Sequence, residues 1–124
     1  MQAKFEIKIA KNGEYMFNLY APNGRVIATS ETYTTLQNCK RGAQSVIDNC
    51  AVHMEDLTLK TPFSLTCPKY ELYADREEKF RFRLRASNGE IICVSQGYTS
   101  KQSALDGISS VKENAPRAVF EILE

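Results

Sequence analysis

The chain has no tryptophan and a single histidine, and only four of its 124 residues are cysteine. Those cysteines, Cys39, Cys50, Cys67 and Cys93, form no Cys-x-x-Cys pair. Tetrahedral zinc is usually held by closely spaced ligand pairs, so neither a metal site nor any other cofactor is expected. Scattered thiols in a chain of this size read instead as small apolar fillers. Long apolar runs are also missing, and about 20 consecutive apolar residues are needed to span a bilayer. The opening MQAKFEIKIA alternates charge with apolar residues and lacks the apolar block of a signal peptide, so the expected compartment is the cytoplasm. Charge of one sign is absent too. The net charge is +1, with 7 basic and 6 acidic side chains in residues 1–61 against 9 and 9 in residues 62–124. Bulk charge therefore recruits neither nucleic acid nor a membrane surface. What remains is an ordinary globular composition, 43% hydrophobic and 25% charged, in a chain long enough to bury about two-thirds of its unfolded surface.

The chain repeats itself. Shifted by 65 positions, residues 4–51 lie over 69–116 without a gap, and 16 of the 48 aligned pairs are identical. LYAPNGRVIATSETYTTLQNCKRGAQSV matches LRASNGEIICVSQGYTSKQSALDGISSV. Two copies are too few for a solenoid and suit two halves related by a pseudo-two-fold axis.

Each copy predicts the same elements. KFEIKI places Phe5, Ile7 and Ile9 on one face, and its counterpart places Tyr70, Leu72 and Ala74 there. YMFNLYA does the same with Tyr15, Phe17 and Leu19, matched by Phe80, Phe82 and Leu84. This period of two marks half-buried strands. Asn23-Gly24 and Asn88-Gly89 are expected to supply the positive φ angles of a tight hairpin, after which RVIATS and EIICVS form third strands. A helix follows: Thr34 with Gln37, and Thr99 with Gln102, read as capping boxes. Cys39, Ala43, Val46 and Cys50 share one helical stripe, as do Ala104, Ile108, Val111 and Ala115. Gly42 and Gly107 cost about 1 kcal/mol each in mid-helix, which implies that the helix backbone lies close against the sheet. Asn49 and Asn114 suit the helix ends, and Pro116 stops the second helix. HMEDLTL and AVFEILE read as fourth strands, although the ungapped register blurs there.

The expected fold is α+β. It is one compact domain of two βββαβ repeats, 4–59 and 69–124, joined by 60–68. Joined edge to edge, the repeats form a single antiparallel sheet with both helices on one face.

The string NG-x-[IV]-I…S-x-x-Y-[TS]-[TS]-x…G-x-x-S-V-x-x-N, present at 23–49 and again at 88–114, resembles the YegP-like family of small bacterial proteins, whose repeated domain is of unknown function. The resemblance covers nearly the whole chain. It implies tandem β(3)-α-β motifs in one sheet with swapped C-terminal strands. Residues near Met54–Leu59 would then pair into the second repeat, and those near Val119–Leu123 into the first. No activity, substrate or catalytic residue comes with it.

Four groups of residues are candidates for chemistry. His53 has no nucleophile or orienting group at a recognisable spacing, and Ala118 takes its place in the other repeat, so a catalytic base is not expected. Glu6 and Glu71 are shared by both copies and face away from the apolar side, as solvated surface. The stripe KFRFRLR puts Lys79, Arg81, Arg83 and Arg85 on one sheet face, about 7 Å apart along the strand. That spacing is comparable to the repeat of a nucleic-acid backbone, and Tyr20 and Tyr73 are available for stacking. The first repeat has Glu14, Met16, Asn18 and Tyr20 at these positions. Finally, Ser30, Tyr33 and Thr34, with Ser95, Tyr98 and Thr99, form a hydroxyl patch before each helix. Free N–H groups there can hold a small anion, although capping and corner packing explain the same residues without a ligand.

The expectation is a non-enzymatic binding or interaction module of unknown partner. The alternative is a nucleic-acid or anion binder acting through the Arg81/Arg83/Arg85 face, and an enzyme ranks third. No membrane partner is expected. A tandem repeat satisfies internally what a single-repeat relative needs a dimer to achieve, which favours a monomer.

Overall fold

The structure, a computed structural model, describes residues 2–60 and 64–123. Part of the expected connection 60–68 thus lies outside the described residues, as do both terminal residues. Three strands, β1 (Lys4–Ile9), β2 (Tyr15–Tyr20) and β3 (Val26–Ser30), lead into α1 (Leu36–Asn49) and a short β4 (Met54–Asp56). The sequence then repeats the series as β5 (Lys69–Ala74), β6 (Phe80–Arg85), β7 (Ile91–Val94), α2 (Lys101–Asn114) and β8 (Val119–Ile122), with a 3-10 turn at Ala115–Arg117 before the last strand.

All eight strands form one sheet in the order β4-β5-β6-β7-β3-β2-β1-β8, which maps onto itself when the repeats are exchanged. The join between repeats is narrow, with Thr29 opposite Val94 and Ser30 opposite Cys93. The outermost strands have changed places: β4 runs beside β5 and β8 beside β1. The swap implied by the resemblance is therefore present. The expectation of a purely antiparallel sheet needs correction, because both edge pairings are parallel. Strand β4 reaches β5 through residues 57–68, and β8 lies most of the chain away from β1. A parallel neighbour needs a connection of about a dozen residues or more, and neither pair is joined by a hairpin.

The blurred register of the fourth strands also resolves. Glu55 stands opposite Glu71 and Glu121 opposite Glu6, so the two edge strands match at a shift of 66 rather than 65. The extra residue falls at the 3-10 turn, where Pro116 continues the chain as a tighter helix.

Each helix packs across its own repeat and onto the third strand of the other. Helix α1 touches β1, β2 and β7; α2 touches β5, β6 and β3. One core lies between sheet and helices, built from the predicted alternation and both predicted stripes: Phe5, Ile7, Phe17 and Leu19 with Cys39 and Val46, and Tyr70, Phe82 and Leu84 with Ile108 and Val111. Bulges at Leu19/Tyr20 and Leu84/Arg85 occupy equivalent places and accompany buried Ile27 and Ile92.

Local signals need two corrections. The N-caps are Thr35 and Ser100, whose hydroxyls accept from Asn38 N and Ser103 N at 3.1 Å, not Thr34 and Thr99. In the β2–β3 and β6–β7 hairpins only the glycines, Gly24 and Gly89, take positive φ, at 84° and 86°. Asn23 and Asn88 use their side chains instead, accepting from Arg25 N and Glu90 N. This is a three-residue loop closed by an αL glycine rather than a two-residue turn.

The mid-helix glycines admit aromatic rings. A Cβ on Gly42 would run into the Tyr33 hydroxyl, and one on Gly107 would lie 2.7 Å from Phe82 and 2.9 Å from the Tyr98 hydroxyl. The close approach inferred from sequence involves the sheet at Gly107, and at Gly42 the tyrosine preceding the helix.

Candidate functional site

The hydroxyl patch is built into the scaffold. Ser30 ends β3 and Ser95 directly follows β7, and each side chain replaces a ladder bond. Ser30 Oγ accepts from Phe17 N at 2.9 Å and donates to the Glu31 carbonyl at 2.7 Å. Ser95 Oγ does the same with Phe82 N and the Gln96 carbonyl, at 2.9 and 2.8 Å. Tyr33 and Tyr98 form isolated antiparallel bridges with Tyr15 and Phe80. Their rings turn onto the helix glycines, and burial pushes the Tyr33 hydroxyl up to about 12. Thr34 and Thr99 are exposed and, as noted, cap nothing. The six residues thus lie near each helix start, but the serine hydroxyls are already committed to backbone partners.

The arginine stripe is on the sheet face opposite the helices, as its alternation dictates. Lys79 lies just before β6, exposed, its stem packed near Gly97. Arg81 Nε donates to Asp75 Oδ2 at 2.7 Å, and its Nη1 to the Ser95 carbonyl at 3.1 Å. Arg83 and Arg85 both donate through Nε to Glu71 Oε1, at 2.7 and 2.6 Å. Arg83 also stacks on Tyr73, 4.4 Å from the ring centre. Arg85 Nη1 holds the Gly89 carbonyl at 2.7 Å.

Sequence reasoning missed the other half of this network. Lys69 lies 3.2 Å from Glu71 and 2.6 Å from Glu55, which arrives on the swapped strand β4. All three are buried, so Glu71 is not the solvated surface residue expected. Burial alone would raise the Glu71 carboxyl, but hydrogen bonds from Arg85, Arg83 and Lys69 overcome this and hold it at about 2. Hydrogen bonding to Lys69 likewise holds Glu55 below the usual carboxylate range. In this network four cations (Lys69, Arg81, Arg83, Arg85) meet three anions (Glu55, Glu71, Asp75), a balance of 4 − 3 = +1, with exposed Lys79 outside it. The three arginines of the stripe are thus matched in place.

The first repeat carries a reduced version. Lys4 lies 3.7 Å from Glu6 and 3.3 Å from Glu121 of the swapped β8. A lysine at the start of each repeat thus clasps one glutamate of its own strand and one of the exchanged strand. The shift of 66 between Glu55 and Glu121 was the signal that could have revealed it.

His53 engages the Thr66 carbonyl through Nε2 at 2.7 Å. All four cysteines are free thiols; Cys39, Cys50 and Cys93 are buried, and burial pushes the Cys93 thiol up to about 12. Among the described residues no helix is long and apolar enough to cross a membrane.

The two sheet edges differ in exposure. Along β8, Val119, Phe120 and Ile122 are exposed, and Leu123 and the neighbouring Ile9 extend the patch. Val119 N and Leu123 N bond to the Ala3 and Ile7 carbonyls of the β1 side. In a parallel ladder the intervening Phe120 and Ile122 N–H groups then point away from the sheet.

Comparison with known proteins agrees with this architecture. The family model of a domain of unknown function, DUF1508, matches twice, over residues 10–53 and 75–121. A UPF0339 protein of Pseudomonas aeruginosa is 36% identical over 118 residues, covering 95% of this chain and 94% of the relative. A UPF0339 protein of Methanosarcina acetivorans is 59% identical over 56 residues, which are 45% of this chain but 97% of the relative. The solution NMR structure of YegP from E. coli, a protein of unknown function, superimposes with a TM-score of 0.79 at 32% identity, covering 98% of this chain and 93% of that one. With the family motif present in both halves and the same fold in a solved relative, the chain belongs to the DUF1508 (UPF0339) family of YegP-like proteins.

Proposed function

We propose that the chain is a non-enzymatic interaction module that takes an extended segment of a partner protein as an additional strand on β8. The observation that carries this reading is the uncovered edge. It joins four exposed apolar side chains, Phe120 and Ile122 on the core side of the sheet and Val119 and Leu123 on the other, to two outward N–H groups. Edge strands are commonly blunted by lysine, proline or a bulge, and VFEI contains none of these. Main-chain pairing with alternate side chains in apolar contact is the usual chemistry of strand addition. The arginine face supports the nucleic-acid alternative less well, because its guanidiniums are already matched to Asp75 and Glu71. We further propose that the module acts in the cytoplasm as a monomer. Four free thiols suit a reducing compartment, and the tandem repeat supplies its own second half.

Selection of displayed random peptides against the chain tests this. Bound peptides should be extended and apolar at alternate positions, and should slow hydrogen exchange at Phe120 and Ile122. Ile122→Pro removes an outward N–H while leaving the β1 ladder intact, and should abolish capture without loss of fold. Equal capture by Ile122→Pro refutes the proposal. So does concentration-dependent pairing of β8 with a second copy, and so does salt-dependent binding of single-stranded oligonucleotides that Arg83→Glu removes.

A further inference from the structure

Two clefts lie where the first half of each helix meets the hairpin of the other repeat. One, of about 350 Å³, is lined by Tyr33, Arg41 and Gly42 of the first repeat and by Asn88 and Glu90 of the second. The other, of about 190 Å³, is lined by Tyr98, Asp106 and Gly107 of the second repeat and by Asn23 and Arg25 of the first. Each named residue of one cleft has its 65-shifted counterpart in the other. The backbone is the same in both: the Asn side chain of each NG loop accepts the N–H two residues on, that of Arg25 or Glu90, and both residues line the cleft beside the opposing helix.

The tyrosine, glycine and asparagine are kept between the clefts, and the charges are exchanged. In the first, the helix offers a cation (Arg41) and the hairpin an anion (Glu90). In the second, the helix offers an anion (Asp106) and the hairpin a cation (Arg25). Both positions changed sign together, so each cleft keeps one charge of each kind. Among the described residues none of the four makes an ion pair within 4.0 Å. All four are exposed and line the clefts from the helix and the hairpin, so any attraction between them acts across the cleft and is screened over a Debye length of about 8–10 Å at moderate salt.

We propose that these clefts are a pairing surface that accepts the unlike repeat and rejects the like one. Were a first repeat to join another first repeat, Arg41 would face Arg25 in both clefts. Were two second repeats to join, Asp106 would face Glu90. Only first with second places opposite charges in both. The partner this surface fits is thus the other repeat, and a second copy of the chain can enter only through its unlike repeat. Rejection of the wrong partner by like charges is a general source of specificity. Here it bears on a fold whose join is otherwise a narrow, nearly symmetric strand pair. The surface is distinct from the β8 edge, so either proposal can fail alone.

The test inverts the pattern at constant composition of charge. Arg25→Glu with Glu90→Arg leaves the net charge unchanged but sets Arg41 against an arginine and Asp106 against a glutamate, while first-with-first pairing becomes attractive. At low salt the melting temperature should fall by roughly 3–6 °C, and the loss should shrink in 0.5 M salt. The variant should also associate more strongly than wild type in concentration-dependent sedimentation. Adding Arg41→Glu and Asp106→Arg restores opposite charges in both clefts and should return melting and sedimentation to wild-type behaviour. A double variant that melts as wild type at low salt, or a quadruple variant as impaired as the double, overturns the proposal. An unchanged sedimentation profile in the double variant overturns partner selection.

Discussion

Replacing Glu71 by Gln keeps the shape of the side chain and removes the anion on which Arg83, Arg85 and Lys69 converge. A carboxyl lowered from its ordinary 4.5 to about 2 corresponds, at about 1.36 kcal/mol per pKa unit, to roughly 3 kcal/mol of preference for the ionised form in the folded chain. The two arginines are about a quarter exposed, at 23% and 27%, so water can partly replace the lost partner. The expected cost of Glu71→Gln is therefore about 2–3 kcal/mol at pH 7, below the 3–5 kcal/mol of a fully buried broken pair. The sign with pH follows from the lowered value. The folded carboxyl binds its proton less readily than the unfolded one, so its stabilisation is complete above about pH 4.5 and is lost as pH falls toward 2. Urea unfolding of wild type and Glu71→Gln from pH 7 to pH 2.5 measures this: the two stabilities should converge through that window. Glu6→Gln, at the equivalent position with one lysine 3.7 Å away, should cost a few tenths of a kcal/mol. A difference for Glu71→Gln that stays constant down to pH 2.5, or is no larger than that of Glu6→Gln, refutes the reasoning.

Other perturbations follow from the comparison of repeats. Glu78 holds φ 62° where the first repeat has Gly13 at φ 83°; Glu78→Gly should therefore stabilise the fold by about 1 kcal/mol, and a lower urea midpoint would contradict this. Gly42→Ala gains about 1 kcal/mol of helix propensity but drives a methyl into the Tyr33 ring. It should destabilise by about 1–2 kcal/mol net, and a double-mutant cycle with Tyr33→Ala should recover most of that loss; additive effects would rule out the clash. Ser100→Ala should cost about 1 kcal/mol as the loss of a cap, and Thr99→Ala almost nothing, an order that thermal melts can confirm or reverse.

Much of this fold could be read from the chain because its signals are local and given twice. Alternation placed Phe5, Phe17, Tyr70 and Phe82 inward, and the helical stripes through Val46 and Val111 did the same for α1 and α2. The cap misread has a local cause: adjacent hydroxyls at 34–35 and 99–100 both precede a helix, and a glutamine three residues on favoured the wrong one. The parallel edges and the buried Lys69 share a different cause. Both depend on a strand crossing to the other repeat, and no pattern within β5 or β6 shows that Glu55 arrives from 16 residues upstream of Glu71. The arginines are matched within their own repeat, by Glu71 on the neighbouring strand and by Asp75 just after it, a cross-strand pairing that the sequence allows as the alternative to a binding face.

The exchange of β4 and β8 also sets an order of events during synthesis. Strand β1 pairs on one side with β2, a few residues away, and on the other with β8, whose Val119 stands opposite Lys4. The first repeat therefore waits, with the outer side of β1 open, until Val119, 115 positions after Lys4, has left the ribosome. The second repeat has its borrowed strand in hand before its own strands are made. Long-range closures of this kind come late and leave an aggregation-prone edge exposed in the interval. The half-finished chain, rather than the mature one, is the form most in need of protection, and the final strand is its safeguard.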